Sequence, residues 1–565
     1  MAAAGVPFKR DELVTRWGQL KSERAGWFWH WKEISDYLLP RSGRFFVQDR
    51  NRGTRRHNNI YDSTGTRALR VLAAGMMAGM TSPARPWFRL GTSDPDLAKS
   101  APVKLWLADV TRLMLAVFQK SNTYRALHTH YEELGAFGTA TGLVLEDFDN
   151  VIHHYPLTTG EYAIATNWKG EVTTLYREFQ KTVVELVGEF GIDNVSESVR
   201  SMYRTGSLDQ WITVIHAIEP RTDRDPKLRD SKNMPWKSVY FELNGRDGKP
   251  LRESGYKRFP ALAARWAVSG GDIYGNSPGM EALGDIKQLQ HEQLRKAEAI
   301  DYKTKPPLQV PNALKNREVE MLPGGITFYD AASPTGGIRS MFDVNLDLSH
   351  LLNDIQDVRQ RVREAFSADM FLMLANQTDT RMTATEVAER HEEKMLMLGP
   401  TVERLHNEML NPLVETTFSR LLEAGVLPPP PQEMHGQPLN VEYISMLAQA
   451  QRAIATNSVD RFVGNLGQIA AFKPDVLDKF DSDEWADRYA DMLGIDPELV
   501  VADDKVALIR NQRAQAQATA QKAAMANSAA DTAQKLANAP MDNNNALASL
   551  VSRGGLVQTD NPAIR

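Results

Sequence analysis

Apolar residues recur at helical spacing in two stretches near the middle of the chain, and an irregular insert separates them. The first stretch begins at Ser277-Pro278, where serine is a good N-cap and proline suits the first helical position. Its apolar positions are Leu283, Ile286, Leu289, Leu294, Ala297 and Ile300. The second stretch follows Asp347, and its apolar positions are Leu348, Leu351, Leu352, Ile355, Val358, Val362, Ala365 and Phe366. The spacing predicts two amphipathic helices, 278–303 and 346–368, which we call the strut helices.

Polar residues occupy the other side of the second strut helix, and they include His350, Asp354, Asp357, Arg361 and Glu364. The two predicted helices therefore form a pair of rods with a projecting insert between them. This pattern is not typical of a catalytic pocket.

A third, longer helix is predicted from Thr383, which forms a capping box with Glu386. Pro400 and Pro412 predict kinks inside it, because proline removes a helical hydrogen bond. The segment between the second strut helix and this one, 368–382, is predicted to be a loop. It contains the apolar run 370–374, and we expect a subunit interface or the constriction of a channel to bury it.

The first half of the chain alternates between helical and extended patterns. Helices are predicted at about 9–40, 62–80, 102–120, 124–137, 183–190 and 196–205, and strands at 143–148, 162–166, 172–179, 211–218 and 239–243. Asn244-Gly245 follows the last strand and favours a hairpin turn. Gly75 and Gly79, four residues apart in a helix, predict close packing through small residues. The fold class is therefore α+β and predominantly helical.

The remaining segments differ in composition. The insert is rich in proline and glycine. Residues 440–500 favour several short helices, and 503–538 is an Ala/Gln-rich helix that is stable only if neighbouring copies support it. The end of the chain, 541–565, is predicted to be disordered.

Composition narrows the function classes. The chain has 565 residues, 42% of them hydrophobic, and a formal net charge of −5, so no global basic field attracts it to nucleic acid or membrane. The sequence has no cysteine, which excludes disulfides, thiolate metal sites and cysteine nucleophiles. No secretory signal is expected at the N-terminus, and no apolar run approaches the ~20 residues that a bilayer span requires.

Enzyme motifs receive little support. Gly275-Asn-Ser277-Pro-Gly279 matches G-x-S-x-G, but the residue after the serine in such an elbow donates an oxyanion-hole amide, and Pro278 has no N–H. Neither a P-loop pattern nor H-E-x-x-H is present. We therefore expect no catalytic residue, no cofactor and no metal. A hydrolase built on Ser277 stays as the enzymatic alternative.

Several short segments resemble, in order, the portal proteins that connect head and tail in short-tailed bacteriophages (podoviruses). These segments are Ile60-Tyr-Asp-Ser-Thr-Gly65, Leu72-Ala-Ala-Gly75-Met-Met-Ala-Gly79-Met80, Ser82-Pro-Ala-Arg-Pro-Trp-Phe88, Ser121-Asn122 with Tyr124, Phe137-Gly-Thr139, Arg265-Trp266, Gly271-Asp-Ile-Tyr-Gly-Asn-Ser-Pro-Gly279, Lys305-Pro-Pro307, Thr383-Ala-Thr-Glu386 and Val441-Glu-Tyr-Ile-Ser445. The resemblance extends over about 10–510. No single segment is decisive, but their shared order is specific.

The resemblance implies a ring of identical subunits, usually twelve, around a central channel at one capsid vertex. It assigns 1–277 to a wing, 278–303 and 346–368 to a stem, 304–345 to a clip and 369–382 to a tunnel loop. It assigns 383–439 to a long kinked wing helix with a proline-rich connection, 440–540 to a helical crown and 541–565 to a tail.

The resemblance also implies partners and a location. Double-stranded DNA passes through the channel, the terminase large subunit and then tail adaptor proteins dock on the clip, and capsid and scaffolding proteins surround the ring. No membrane is implied; the ring is assembled in the host cytoplasm and becomes part of the virion. We expect Asn376, Gln377 and Arg381, with Arg361 below them, to lie nearest the DNA. The non-enzymatic alternative is another structural ring, such as a tail adaptor.

Overall fold

The computed structural model describes residues 9–45, 59–94, 97, 100–228, 230–245, 249–304, 308–309, 339–340, 348–375, 398–434, 439–444, 462–470, 472–493, 501 and 503–537. They fall into two compact units, Met1–Ile495 and Asp496–Arg565.

The first unit is built mainly of helices. In chain order they are α1 (Arg10–Tyr37), α2 (Thr64–Met80), α3 (Ala101–Lys120), α4 (Thr123–Phe137), α5 (Val183–Phe190), α6 (Glu197–Arg204), α7 (Pro278–Glu281), α8 (Leu283–Thr304), α9 (Ser349–Ala365), α10 (Ala368–Ala375), α11 (Gly399–Leu405), α12 (Asn411–Glu423), α13 (462–470) and α14 (Ser482–Leu493). A π-helical stretch, His406–Leu410, joins α11 to α12. The second unit contains α15 (Asp503–Ala537), a helix of 35 residues.

The strands form small antiparallel sheets. They are β1 (Phe88–Thr92), β2 (Thr139–Asp147), β3 (Val151–Leu157), β4 (Tyr162–Thr166), β5 (Val172–Thr182), β6 (Trp211–Pro220), β7 (Trp236–Glu242), β8 (Arg252–Tyr256), β9 (Ala261–Arg265), β10 (Leu308–Gln309), β11 (Arg339–Ser340) and β12 (Leu439–Tyr443). The strand orders are β4-β5-β6-β7-β8, β3-β2-β9, β1-β12 and β10-β11. In the three-stranded sheet Leu143 stands opposite Tyr155 on one side and Ala261 on the other.

One large apolar core joins α1, α2, α4 and the three-stranded sheet to the bases of α8 and α9 and to α12. Members of this core include Trp31, Leu72, Phe137, Ile286 and Val362, and each of them is almost fully buried. Two smaller cores flank the five-stranded sheet: α1 covers one face near Trp17, and α5 and α6 cover part of the other near Val199. The described helices and strands of the first half confirm the predicted α+β class.

The strut helices, α8 and α9, are antiparallel. Asp285 near the start of α8 faces Arg361 near the end of α9, at 3.1 Å. A helix of 22 residues is about 33 Å long. Its first turns are buried at Ile286 and Leu289, whereas Ile300 is 42% exposed near its far end. Each strut helix is therefore embedded in the body at one end only.

α10 packs against α2 at Gly75. A Cβ atom built on Gly75 would lie 2.2 Å from the Phe371 ring, so only glycine permits this approach. Phe371 and Met370 are each 3% exposed and belong to the large core. The predicted close packing at Gly75 is confirmed.

That packing corrects two expectations. The segment 369–382 was predicted to be a loop, but its first part continues as α10, because its apolar residues find a helical surface in the same chain. The run 370–374 was expected to be buried at a subunit interface or a constriction. Met370 and Phe371 instead bury themselves within their own subunit, while Leu372 is 43% exposed.

The boundaries of both strut helices also differ from the prediction. The helix predicted over 278–303 is divided at Ala282 into α7 and α8. Ser277 holds α7 against the end of α4, since its hydroxyl donates to the Ala136 carbonyl at 2.8 Å. The second strut helix was predicted to extend to 368, but α9 ends at Ala365, and Ser367 then adopts a positive φ of 49° before α10 begins.

One proline position and one region boundary need a similar correction, whereas the irregularity predicted at Pro412 is present directly before it. Pro400 lies in the first turn of α11, where it is tolerated, and makes no kink there. Pro412 follows the π-helical stretch, and this irregular stretch is where the helix departs from regular geometry. The crown was predicted to be helical from 440, but 439–443 forms β12, which pairs with β1 in the body.

Replacing Gly75 by Ala should destabilise the first unit by about 1–3 kcal/mol, because the new methyl group overlaps the Phe371 ring. Urea unfolding followed by circular dichroism measures the change. Gly284→Ala is the matched control: Gly284 lies in α8 with nothing within 4 Å of a built Cβ, so that variant should gain about 0.5–1 kcal/mol. Equal effects of the two changes would contradict the packing described here.

Candidate functional site: the base of the strut helices

Asp62 is the residue through which the body contacts both strut helices. It lies just before α2 and is 8% exposed. The Oε1 atom of Gln290, in α8, accepts hydrogen bonds from the backbone N–H groups of Tyr61 and Asp62, both at 2.7 Å. The Nε2 atom of Gln290 donates to the backbone carbonyl of Asp62 at 3.1 Å. Gln293, one turn further, donates to the Asp62 carboxylate at 3.0 Å. The first strut helix is thereby hydrogen-bonded to both the backbone and the side chain of one residue.

The second strut helix contacts the same carboxylate through Arg359. The guanidinium donates from Nε at 3.0 Å and from Nη2 at 2.7 Å to Oδ2 of Asp62. The other carboxylate oxygen accepts the N–H and hydroxyl groups of Thr64, at 2.8 and 2.5 Å. Burial raises the pKa of Asp62, but the hydrogen bonds from Thr64 and Arg359 outweigh it and leave the pKa below its ordinary value. The carboxylate is therefore charged at neutral pH and connects three segments.

Further contacts join the two strut helices directly. Arg361 of α9 pairs with Asp285 of α8 at 3.1 Å and with Asp357 at 3.3 Å. Glu292 of α8 is 8% exposed and accepts from Gln288 at 2.6 Å. Burial first, and the neighbouring Asp354 of α9 as well, raise the pKa of Glu292. Charged side chains thus continue along the seam between the helices.

The two strut helices have no net charge. α8 carries four basic and four acidic residues, namely Lys287, Arg295, Lys296, Lys303, Asp285, Glu292, Glu298 and Asp301. α9 carries three of each, namely Arg359, Arg361, Arg363, Asp354, Asp357 and Glu364. Because phosphate binding scales with the number of cations engaged, such a surface holds a duplex weakly.

Ser277 is a helix cap in this structure and is unsuited to nucleophilic attack. Its hydroxyl accepts the Met280 N–H at 3.0 Å and donates to the Ala136 carbonyl at 2.8 Å. The residue is 1% exposed, and Pro278 follows it in the first turn of α7. A substrate carbonyl has no route to this oxygen.

The structure brings only one of the four DNA-facing candidates onto the strut pair. Arg361 lies there, with its side chain 45% exposed beside Asp285 and Asp357. The other three, Asn376, Gln377 and Arg381, lie outside the described residues. So do Thr383 and Glu386 of the predicted capping box. Arg361 therefore serves the contact between the strut helices as well as facing solvent.

Sequence reasoning missed the residues that attach the strut helices to the body. Gln290 and Gln293 interrupt the apolar face of α8, and a buried polar side chain at such a position requires a partner. The two glutamines were therefore the signal in the sequence that α8 contacts a polar partner. The partner itself, Asp62, is 228 residues from Gln290, so no local pattern could identify it.

Two features that rival functions would need are absent from the described part of the chain. Within it, no group of three or more His, Cys, Asp or Glu side chains is placed to hold a metal ion. None of its helices combines the length and apolar character needed to cross a bilayer.

Asp62→Asn should lower the free energy of unfolding by about 1.5–3 kcal/mol at neutral pH, because a charge-assisted pair is replaced by weaker bonds. The folded pKa of Asp62 is lowered, so its contribution is present above the unfolded value of about 3.9 and is lost as pH falls through the folded pKa. The difference from the parent chain should therefore stay constant at neutral pH and shrink below about pH 4.

Urea unfolding across this pH range measures the difference. Asp357→Asn is the control, since its carboxylate is 69% exposed and pairs with Arg361 within the same helix, a kind of pair worth about 0.5 kcal/mol or less. An Asp62→Asn effect no larger than that of the control would contradict the role given to Asp62.

Ser277→Ala should cost about 1 kcal/mol of stability through loss of the cap and should leave assembly unchanged. Thermal unfolding and sizing of the variant measure both. A hydrolytic activity that disappears in this variant while the fold is retained would instead support the enzymatic alternative.

Comparison with known proteins bears on the whole chain. Residues 10–501 match the family described as bacteriophage head to tail connecting protein. The chain is 68% identical over 539 residues to the probable portal protein of Bordetella phage BPP-1, covering 95% of this chain and 97% of that protein. It is 45% identical over 551 residues to the portal protein of Salmonella phage epsilon15, covering 97% and 99%.

Among solved structures, the virion of a native gene transfer agent particle gives a TM-score of 0.30 at 11% identity, covering 75% of this chain and 93% of that chain. The neck of an empty gene transfer agent particle gives 0.32 at 11% identity, covering 77% and 90%. The sequence matches extend over almost the whole chain, and they decide which family the chain belongs to. The chain belongs to the family of bacteriophage head-to-tail connecting proteins.

Proposed function

We propose that this member of the connector family is a portal: a ring of identical subunits around a channel at one capsid vertex. Double-stranded DNA enters the head through the channel during packaging and leaves through it during ejection. The observation that carries the proposal is the near full-length identity to two proteins named as portals, at 68% and 45%. The expected resemblance to portal proteins is confirmed at the level of the family.

The strut pair suits the wall of such a channel. Its two helices are attached to the body through Asp62 and to each other through Arg361 and Asp285, so the wall is stiff at its base. Equal numbers of positive and negative side chains let DNA pass with weak, averaged contacts. Ile300, Tyr302 and Leu352 are 41–50% exposed on the single chain, and neighbouring copies in a ring would cover them.

The remaining regions follow from this assignment. The body up to residue 277 is the wing, α7 to α9 form the stem, and the insert between the strut helices, 305–347, is the clip. α10 belongs with the wing, so the tunnel loop is confined to 376–382. We assign 444–540 to the crown. α15 falls within this range, and a helix of 35 residues whose described side chains are nearly all exposed needs neighbouring copies for support.

The partners follow from the position of each region. The terminase large subunit and later the tail adaptor proteins dock on the clip, while major capsid and scaffolding proteins contact the wing. Twelve copies form the ring, which is assembled in the host cytoplasm and retained at the head–tail junction of the virion. Asn376, Gln377 and Arg381 approach the DNA most closely, and no catalytic step or cofactor is required.

A tail adaptor or another structural ring is the second candidate. It is disfavoured by two features of the chain, its length of 565 residues and the strut–insert–strut arrangement. Both features match the portal arrangement.

Electron microscopy of the purified full-length protein tests the proposal. We expect annular particles with a central hole and, by mass measurement, twelve subunits. A protein that stays monomeric at every concentration and shows no annulus would overturn it.

Deleting residues 375–380 tests the tunnel loop separately. Rings should still form, whereas packaging or retention of DNA in particles should fall, because Asn376 and Gln377, two of the three groups proposed to lie nearest the duplex, are removed. Deletion of six residues from 541–565 is the control and should package normally. Infectious, DNA-filled particles from the loop deletion would contradict the assignment.

A further inference from the structure

Two β-turns, which lie near opposite ends of strand β2, each expose an aromatic side chain almost completely. Phe148, in the turn between β2 and β3, is 99% exposed, and Trp168, in the turn between β4 and β5, is 90% exposed. Full exposure of a large apolar ring is unfavourable in water, and rigid aromatic side chains of this kind are enriched at protein interfaces.

Both turns hold their aromatic residue in the same way. The side chain of Asp147 accepts the N–H of Asp149 at 3.1 Å, and that of Asn167 accepts the N–H of Lys169 at 2.9 Å. In each case the residue before the aromatic ring closes a hydrogen-bonded turn around it. The rings are therefore presented on ordered backbone, which lowers the entropy lost on binding.

The Phe148 turn is also strained. Val151, which ends it, has a φ of +69°, a conformation that β-branched residues rarely adopt. Strained backbone persists where the surrounding structure maintains it and is concentrated at functional sites. The strain and the exposure of Phe148 are separate observations on one turn.

The Trp168 turn is attached to the core through Arg265, which is 3% exposed. Its guanidinium donates to the Gly170 carbonyl at 2.7 Å and to Glu408 at 2.6 Å. Arg265 also pairs with Thr139 at the start of β2, whereas Phe148 follows the end of the same strand. The two turns are thus separated along the strand by roughly 27 Å.

Each turn carries, next to its aromatic ring, an exposed charged side chain that can pair with one in the other turn. Glu146, Asp147 and Asp149 surround Phe148 with negative charge, and Asp149 is exposed. Lys169 stands beside Trp168, with its ammonium 5.3 Å from the ring centre, while Glu171 of the same turn accepts a hydrogen bond from the Asn167 side chain at 2.8 Å. An exposed carboxylate beside one aromatic ring and an ammonium beside the other allow a head-to-tail contact between identical copies.

We propose that the Phe148 turn of one copy docks on the Trp168 turn of the next copy, with the two rings in contact and Asp149 paired with Lys169. The inference rests on the proposed ring, since only a repeated head-to-tail contact uses both ends of every subunit. It assigns a defined pair of surfaces to the contact between neighbouring wings.

Cysteine crosslinking of the full-length protein tests the contact, because the chain has no cysteine of its own. The double variant Phe148→Cys/Trp168→Cys should give a ladder of disulfide-linked multimers on a non-reducing gel after mild oxidation. A bond within one copy is excluded by the separation of the turns, since bridged Cα atoms lie about 4.4–6.8 Å apart. Each single variant should remain largely monomeric on the same gel.

Phe148→Cys/Asp209→Cys is the matched control, because Asp209 is also exposed but lies outside both turns. No ladder is expected from it. The inference would be overturned if the control variant gave a ladder as strong as that of the test variant. It would also be overturned if the test variant formed rings in electron micrographs but gave no ladder. Either result would leave the proposed ring in place. Absence of any ring would overturn the proposed function together with it.

Charge reversal supplies a test that needs no crosslink. Asp149→Lys and Lys169→Asp should each weaken association about two- to fivefold, and the two changes together should restore it. Mass photometry over a range of protein concentrations measures the midpoint of assembly. If the double variant associates more weakly by the sum of the two single effects, the two side chains do not meet.

Discussion

The carboxylate of Asp62 is the contact on which the arrangement of the strut helices depends. A buried charge is expensive unless charged and polar donors surround it, and here Arg359, Gln293 and Thr64 supply them. These donors come from three separate segments of the chain. Satisfying this one charge therefore sets the positions of α8, α9 and the start of α2 relative to one another.

The consequence is a projecting pair of helices with a firm base and an exposed far end. At the base, Ile286, Leu289 and Val358 are buried in the large core, and polar bonds surround Asp62. Toward the far end the apolar side chains meet solvent. A strut pair of this kind is incomplete on a single chain, which agrees with membership of a family of connectors and with a wall made of many copies.

The packing of Phe371 on Gly75 fixes the position of α10 on the body. The bulky ring lies where a glycine leaves room on α2, so α10 is held against the body directly after α9. Asn376, Gln377 and Arg381 follow α10 in the sequence.

The sequence pattern predicts those helices, strands and caps that depend only on residues close together in the chain. The periodicity of α2, α4 and β5 and the cap at Ser277 could be identified from neighbouring residues, because helical and strand periods and capping operate within a few positions. β1 was not identified, since its partner β12 lies about 350 residues away and neither strand is stable alone. The sequence pattern predicts a loop where α10 lies, because the helical state of α10 depends on the surface of α2.

The order of the amino acids thus determined the class of the fold, the existence of the two strut helices and the family to which the chain belongs. The tertiary structure alone decided which residues attach those helices to the body, that Met370 and Phe371 face inward, and that Phe148 and Trp168 are exposed in two separate β-turns. The physical reason is distance along the chain. The hydrogen bonds of Gln290, Gln293 and Arg359 to Asp62 and the approach of Phe371 to Gly75 join residues more than 200 positions apart, and such pairs leave no periodic trace in the sequence.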